Sequence, residues 1–175
     1  DDFIEAFVIA INEVFPKICI QWEDFAGPNA IKILEKYRDR VCTFNDDIQG
    51  TASVISAGLL TACRFSGTPI TEHRYLFLGA GAAAVGIADL IAKVMMKEGQ
   101  TEEEAYSRSW LFDRKGLVVK SRNDLADYKI PFARDDKFVS DYLEAIRMLK
   151  PTAIIGVSTI HSAFDQKVIE AMSAI

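Results

Sequence analysis

Two hydrophobic rhythms alternate along the chain and place most of its elements. Phe3, Phe7, Ile11 and Val14 recur at helical spacing, which predicts an amphipathic helix ending near Pro16. The run ICIQW (18–22) has the texture of a short strand. Pro28 stands at a first-turn position and opens a second helix, PNAIKILEKYR. Another short strand, VCTF (41–44), leads into Ile48 to Phe65, a helix apolar on nearly every side and therefore expected deep inside the protein. At YLFLGAG (75–81) a strand runs into a glycine turn and a helix from Ala82 to Lys97. Thr101 and Glu104 then form a capping-box pattern. WLFD (110–113) is a strand, GLVV (116–119) a short extended run and 121–133 a polar loop. A helix over 139–149, a strand AIIGVS (153–158) and a helix over 165–172 complete the pattern. Trp22, Trp110 and the phenylalanines lie in apolar runs and are expected in the core.

Apolar strands alternating with helices predict a parallel sheet covered on both faces. The fold class is therefore α/β, a Rossmann-type doubly wound sheet preceded by a smaller α/β segment. Composition narrows the function. A chain of 175 residues, half of them hydrophobic, supports one core and part of a second. Its net charge of −5, with no Lys/Arg run longer than two, argues against a nucleic-acid or anionic-membrane partner. No apolar run reaches the ~18 residues of a membrane span. Cys19, Cys42 and Cys63 are odd in number, widely spaced and set among apolar neighbours. Buried, reduced thiols of an intracellular protein are expected, without a disulfide framework. The chain begins without methionine and stops within a helical pattern, as expected of a piece of a longer polypeptide.

Chemistry enters first at the glycine turn. Gly79, Gly81 and Ala84 follow the G-x-G-x-x-A spacing between a strand and a helix, the context of a dinucleotide fingerprint. Gly79 permits the tight turn, Gly81 the approach of a pyrophosphate, and Ala84 with Gly86 a close packing of helix on strand. The amides of Ala82, Ala83 and Ala84 open that helix toward the phosphates. Asp113 ends the next strand, where a carboxylate can bond the adenosine ribose. Arg114 and Lys115 follow it and tilt the cofactor slightly from NAD toward NADP, although two solvated turn cations explain them equally well.

Two further segments place carboxylates at strand ends: IQWEDF, with Glu23 and Asp24, and TFNDD, with Asp46 and Asp47. Singly, the first pair could be a turn and the second a helix cap. Together, four carboxylates repel one another unless a cation lies among them, and hard ions such as Mg²⁺ or Mn²⁺ favour such oxygen donors. A divalent metal beside a nicotinamide points to a 2-hydroxy acid substrate.

The segments IQWEDFAGPNAIKILEKYRDRVCTFNDDIQGTASV, FLGAGAAAVGIADLIA, FDRKGLVVKSR and KPTAIIGVS resemble the malic enzyme family in order and spacing, over essentially the whole chain. The resemblance implies oxidative decarboxylation of L-malate to pyruvate with NAD or NADP and a divalent metal. It implies Glu23, Asp24 and Asp47 as metal ligands and Asp46 as a catalytic aspartate near the base. Asp47 is also expected near the cofactor, and Gly79, Gly81, Ala84, Asp113, Val157 and Ser158 match cofactor positions. It divides the chain into residues 1–48, the end of a malate- and metal-binding domain, and 49–175, an incomplete NAD(P)-binding domain. It further implies a homo-oligomer, dimer or tetramer, in the cytoplasm or mitochondria. Gly27 and Ala82 depart from the family, which usually has Asn at the first and often Glu at the second. The family's catalytic lysine and tyrosine lie upstream of these segments, so the 175 residues alone are expected to be inactive. A malolactic-type enzyme and a non-catalytic NAD(P) sensor are the alternatives.

Overall fold

The computed structural model describes residues 2–175. A small α/β unit comes first. Helix α1 (Asp2–Val14), strand β1 (Ile20–Trp22), helix α2 (Gly27–Tyr37) and strand β2 (Thr43–Asn45) surround a two-stranded parallel sheet. Its core is Val8, Ile20, Trp22 and Tyr37, with Ile4 and Ile11 packed against it. The buried stripe of α1 therefore runs through Ile4, Val8 and Ile11. Of the expected stripe, Ile11 packs on this core, but Phe3, Phe7 and Val14 are exposed, with Phe3 at 80%. Both stripes have helical spacing, and only the position of the sheet chooses between them.

A π-helical turn (Asp46–Gly50) leads into helix α3 (Thr51–Ser66). Its composition predicts a place deep inside the protein, but the helix lies at the surface. Only Ala52 and Ser56 are buried, while Val54 and Phe65 are exposed. One face, including Ile55, Leu59 and Cys63, packs on the main core and the other is uncovered. The aromatic residues divide in the same way: Trp22 is buried, Phe65 is not.

The second unit holds a four-stranded sheet in the order β5-β4-β3-β6, formed by β3 (Tyr75–Leu78), β4 (Ser109–Asp113), β5 (Gly116–Leu117) and β6 (Ala153–Gly156). β3 is central and parallel to both β4 and β6; β5 turns back antiparallel at the edge. Every residue of β3 is buried, as a strand covered on both faces requires. Helix α4 (Ala82–Lys97) and α3 enclose one core with Phe77, Leu111 and Ile155. On the other face, helices α6 (Tyr142–Leu149) and α7 (Gln166–Ser173) enclose Leu76, Phe112 and Val119. Helix α5 (Glu102–Tyr106) carries the full capping box of Thr101 and Glu104. From β3 the chain crosses first to β4 and later returns to β6 on the opposite side. The carboxyl end of β3 is thus a topological switch point, where doubly wound sheets bind ligands. No helix among the described residues is long and apolar enough to cross a membrane.

Candidate metal and nucleotide sites

The carboxylates converge because β1 and β2 are parallel and in register, Trp22 opposite Asn45, so both strands deliver their next residues to one end. Oxygens of Glu23, Asp24 and Asp47 lie within 4.8 Å of one another. Asp24 occupies the left-handed region at φ 59°, and its amide donates to Asp47 Oδ2 at 2.8 Å. That bond ties the ends of the two strands together and orients the Asp47 carboxylate. Asp46 takes a different position. Gln21 Nε2 donates to Glu23 Oε2 at 2.9 Å and to Asp46 Oδ2 at 3.2 Å, bridging the two segments.

Neither aspartate caps the following helix. Asn45, fully buried, performs that task by accepting from the Ile48 amide at 2.9 Å, while its own amide donates to Gln49 Oε1 at 3.0 Å. Asp46 and Asp47 are thereby released from the capping role that their sequence position offers. A β-carbon on Gly50 would lie 1.7 Å from Asp46 Oδ1, so a larger residue there would turn the Asp46 carboxylate aside. The charge crowding registers on Glu23. The Gln21 hydrogen bond lowers its pKa, but desolvation and the charges of Asp47 and Asp46 together raise it above the ordinary glutamate value. Three convergent carboxylates with little compensating positive charge fit a hard divalent cation.

The nucleotide side is built around Gly79. Its φ of 124° suits glycine alone, and a β-carbon there would lie 2.4 Å from the Val157 carbonyl oxygen. The turns after β3 and β6 can therefore touch. They enclose a cavity of about 710 Å³ lined by Gly79, Ala80, Gly81, Asp113, Arg114, Lys115, Val157 and Ser158 among others. Gly81 precedes α4, and a β-carbon on it would meet nothing within 4 Å, so its backbone is approachable. Ala82, Ala83 and Ala84 form the first turn of α4 and do not line the cavity, and neither does Asp47.

Gly86 differs from its expected role. A β-carbon there would meet Ile48 O at 2.7 Å, so it packs α4 against the π-turn of the carboxylates rather than against the strand. Gly27 and Ala82, the two departures from the family pattern, are neighbours: a β-carbon on Gly27 would lie 3.7 Å from Ala82 Cβ. These contacts join the carboxylate cluster to the glycine turn.

Asp113 is enclosed. Arg122 donates to both of its oxygens, at 2.9 and 3.1 Å, and Lys129 to Oδ2 at 2.8 Å, with the Lys115 amide at 3.0 Å. Burial alone would raise its pKa, but these hydrogen bonds outweigh burial and bring it to about 2. Lys115 pairs with Asp124 instead of standing free, and Arg122 bonds Asp124 as well. Sequence patterns missed Arg122 and Lys129 because both lie in the polar 121–133 stretch, nine and sixteen residues beyond their partner. Gln21 was missed for a related reason: a lone polar residue on a strand carries no motif.

A family model described as "Malic enzyme, NAD binding domain" matches residues 48–175, and one described as "Malic enzyme, N-terminal domain" matches residues 1–38. The chain is 48% identical over 177 residues to NADP-dependent malic enzyme 1 of Arabidopsis thaliana, covering 99% of this chain and 30% of that protein. It is 40% identical over 185 residues to NAD-dependent malic enzyme 3 of Bacillus subtilis, covering 99% and 33%. Among solved structures, that of the Entamoeba histolytica malic enzyme superposes with a TM-score of 0.76 at 28% identity, covering 97% of this chain and 35% of that one. The chain thus spans about a third of the length of the relatives it matches.

Proposed function

The chain belongs to the malic enzyme family, and from that premise we propose that it carries the metal and nucleotide sites of an enzyme converting L-malate to pyruvate and CO₂ with reduction of NAD(P). The observation that carries this reading is the convergence of Glu23 and Asp24, after β1, with Asp47 on the π-turn, to within 4.8 Å, where that turn packs against α4. These three side chains would hold Mg²⁺ or Mn²⁺. Such an ion supplies Lewis acidity toward the C2 oxygen of malate. Asp46, bridged to Glu23 through Gln21, stands beside the ligands rather than among them and supports proton transfer there. The Gly79–Gly81 turn leading into α4 receives the pyrophosphate, Asp113 the adenosine ribose, and Val157 and Ser158 the part of the cofactor nearest β6. Residues 1–48 contribute the metal side and 49–175 the nucleotide side.

The cavity rim supports NADP over NAD. Arg114, Lys115, Arg122 and Lys129 line it together with Asp113, Asp124 and Asp141, which leaves four cations against three carboxylates. Asp113 is neutralised by its partners and no longer repels a 2′-phosphate.

The test is a Mn²⁺ titration of the chain, followed by the electron paramagnetic resonance of the free ion. Asp47→Asn and Glu23→Gln should each weaken binding by about tenfold or more. Unchanged affinity in both variants would remove the metal from this reading.

A further inference from the structure

Cys19 and Cys42 stand side by side immediately before β1 and β2. The strands pair in parallel with Ile20 opposite Thr43, and the Ile20 amide donates to the Cys42 carbonyl at 3.0 Å. The register therefore continues back by one position and sets Cys19 beside Cys42. Adjacent positions on parallel strands face the same way, and alternation identifies which way: Ile20 and Trp22 are buried, Cys19 and Gln21 exposed. Neighbouring strands lie about 4.8 Å apart, within the ~4.4–6.8 Å between Cα atoms that a disulfide bridges. Both thiols are free and exposed, contrary to the burial expected from their apolar neighbours in the sequence. The neighbouring Cys42 thiol raises the Cys19 thiol above its ordinary value, in keeping with the closeness that the register sets. Cys63 has no such partner; it lies half-buried on the α3 face that packs on the main core.

We propose that Cys19 and Cys42 form a redox-modification site, a cross-strand dithiol that closes to an intramolecular disulfide when a low-molecular-weight disulfide such as oxidised glutathione reacts with it. One protein thiolate attacks a sulfur of the small disulfide, forming a mixed disulfide and releasing one small thiol. The second protein thiolate attacks the cysteine sulfur of that mixed disulfide, forming the Cys19–Cys42 bond and releasing the second small thiol. Two protein thiols are oxidised and one small disulfide is reduced to two thiols, so atoms and electrons balance. The crosslink ties the starts of β1 and β2 together, at the opposite end of the strands from Glu23 and Asp47, which follow them. The proposal stands on strand register and exposure, independently of the functional reading above.

Treating the chain with oxidised glutathione, alkylating the remaining thiols and mapping peptides by mass spectrometry tests it. The expected product joins the Cys19 and Cys42 peptides with the loss of two hydrogens, leaves Cys63 alkylated and reverts with dithiothreitol. Cys42→Ser should instead trap glutathione on Cys19. Free alkylation of both cysteines in the parent chain, separate glutathione on each, or linkage to Cys63 or to a second chain would overturn the proposal.

Discussion

Gly86 on α4 faces the carbonyl of Ile48, and a β-carbon at Gly86 would lie 2.7 Å from that oxygen and 2.8 Å from Ile48 Cγ2. This contact seats α4, the helix after the glycine turn, on the π-turn that presents Asp46 and Asp47. Backbone cannot yield as a flexible side chain can, so Gly86→Ala should push the turn and helix apart. We expect a loss of about 1–3 kcal/mol, a fall of several degrees in the midpoint of thermal unfolding, and weaker Mn²⁺ binding. An unchanged midpoint would show that the contact relaxes freely.

Asn45 holds the same turn from its other side. Removing its Oδ1 leaves the buried Ile48 amide without an acceptor. Asn45→Ala should cost about 1–2 kcal/mol, whereas Asn45→Ser keeps a neutral oxygen acceptor at nearly the volume of alanine and should cost less. Urea unfolding of the two variants distinguishes capping from simple loss of volume, because only capping separates them in that order.

Asp113 gives the protein a dependence on acid. Its pKa in the folded chain is about 2, against 3.8 for an ordinary aspartate. On acidification the unfolded chain therefore takes up the proton first. The stability contributed by this group is full above about pH 4 and is lost as pH falls through about 2. The size of the effect is about 2 kcal/mol. Asp113→Asn should abolish this part of the acid dependence. At neutral pH it should also destabilise the protein by about 2–3 kcal/mol, because Arg122 and Lys129 lose their shared partner. Chemical unfolding at several pH values checks both effects.

The cation-rich rim predicts a selective effect at Lys129. Lys129→Met should weaken NADP binding by about tenfold while changing NAD much less, since only the former carries a 2′-phosphate. Calorimetric titration with each dinucleotide reads the ratio. Equal losses would assign Lys129 to holding Asp113 alone.

Much of this site is legible along the chain because its signals are local. The G-x-G-x-x-A turn, the capping box of Thr101 and the extent of α4 depend on residues within a few positions of one another. The pairing of Glu23 and Asp24 with Asp46 and Asp47 was foreseeable for a similar reason: each pair ends a short strand, and parallel strands deliver their ends to one place.

Other features depend on what packs against what. Asn45 takes the cap that Asp46 or Asp47 could have taken, a choice among adjacent polar side chains made by burial. The exposed faces of α1 and α3 are as apolar as their buried ones, so periodicity cannot say which one meets the core. Arg122 and Lys129 reach Asp113 only because the 121–133 stretch folds back over the end of β4. Cys19 and Cys42, twenty-three positions apart, become neighbours through strand register. By itself the sequence determined the elements, the glycine turn and the carboxylates, since these rest on spacing and residue type. Only the tertiary structure decided how those parts are held, because hydrogen bonds and close contacts between distant segments depend on positions that the linear order leaves open.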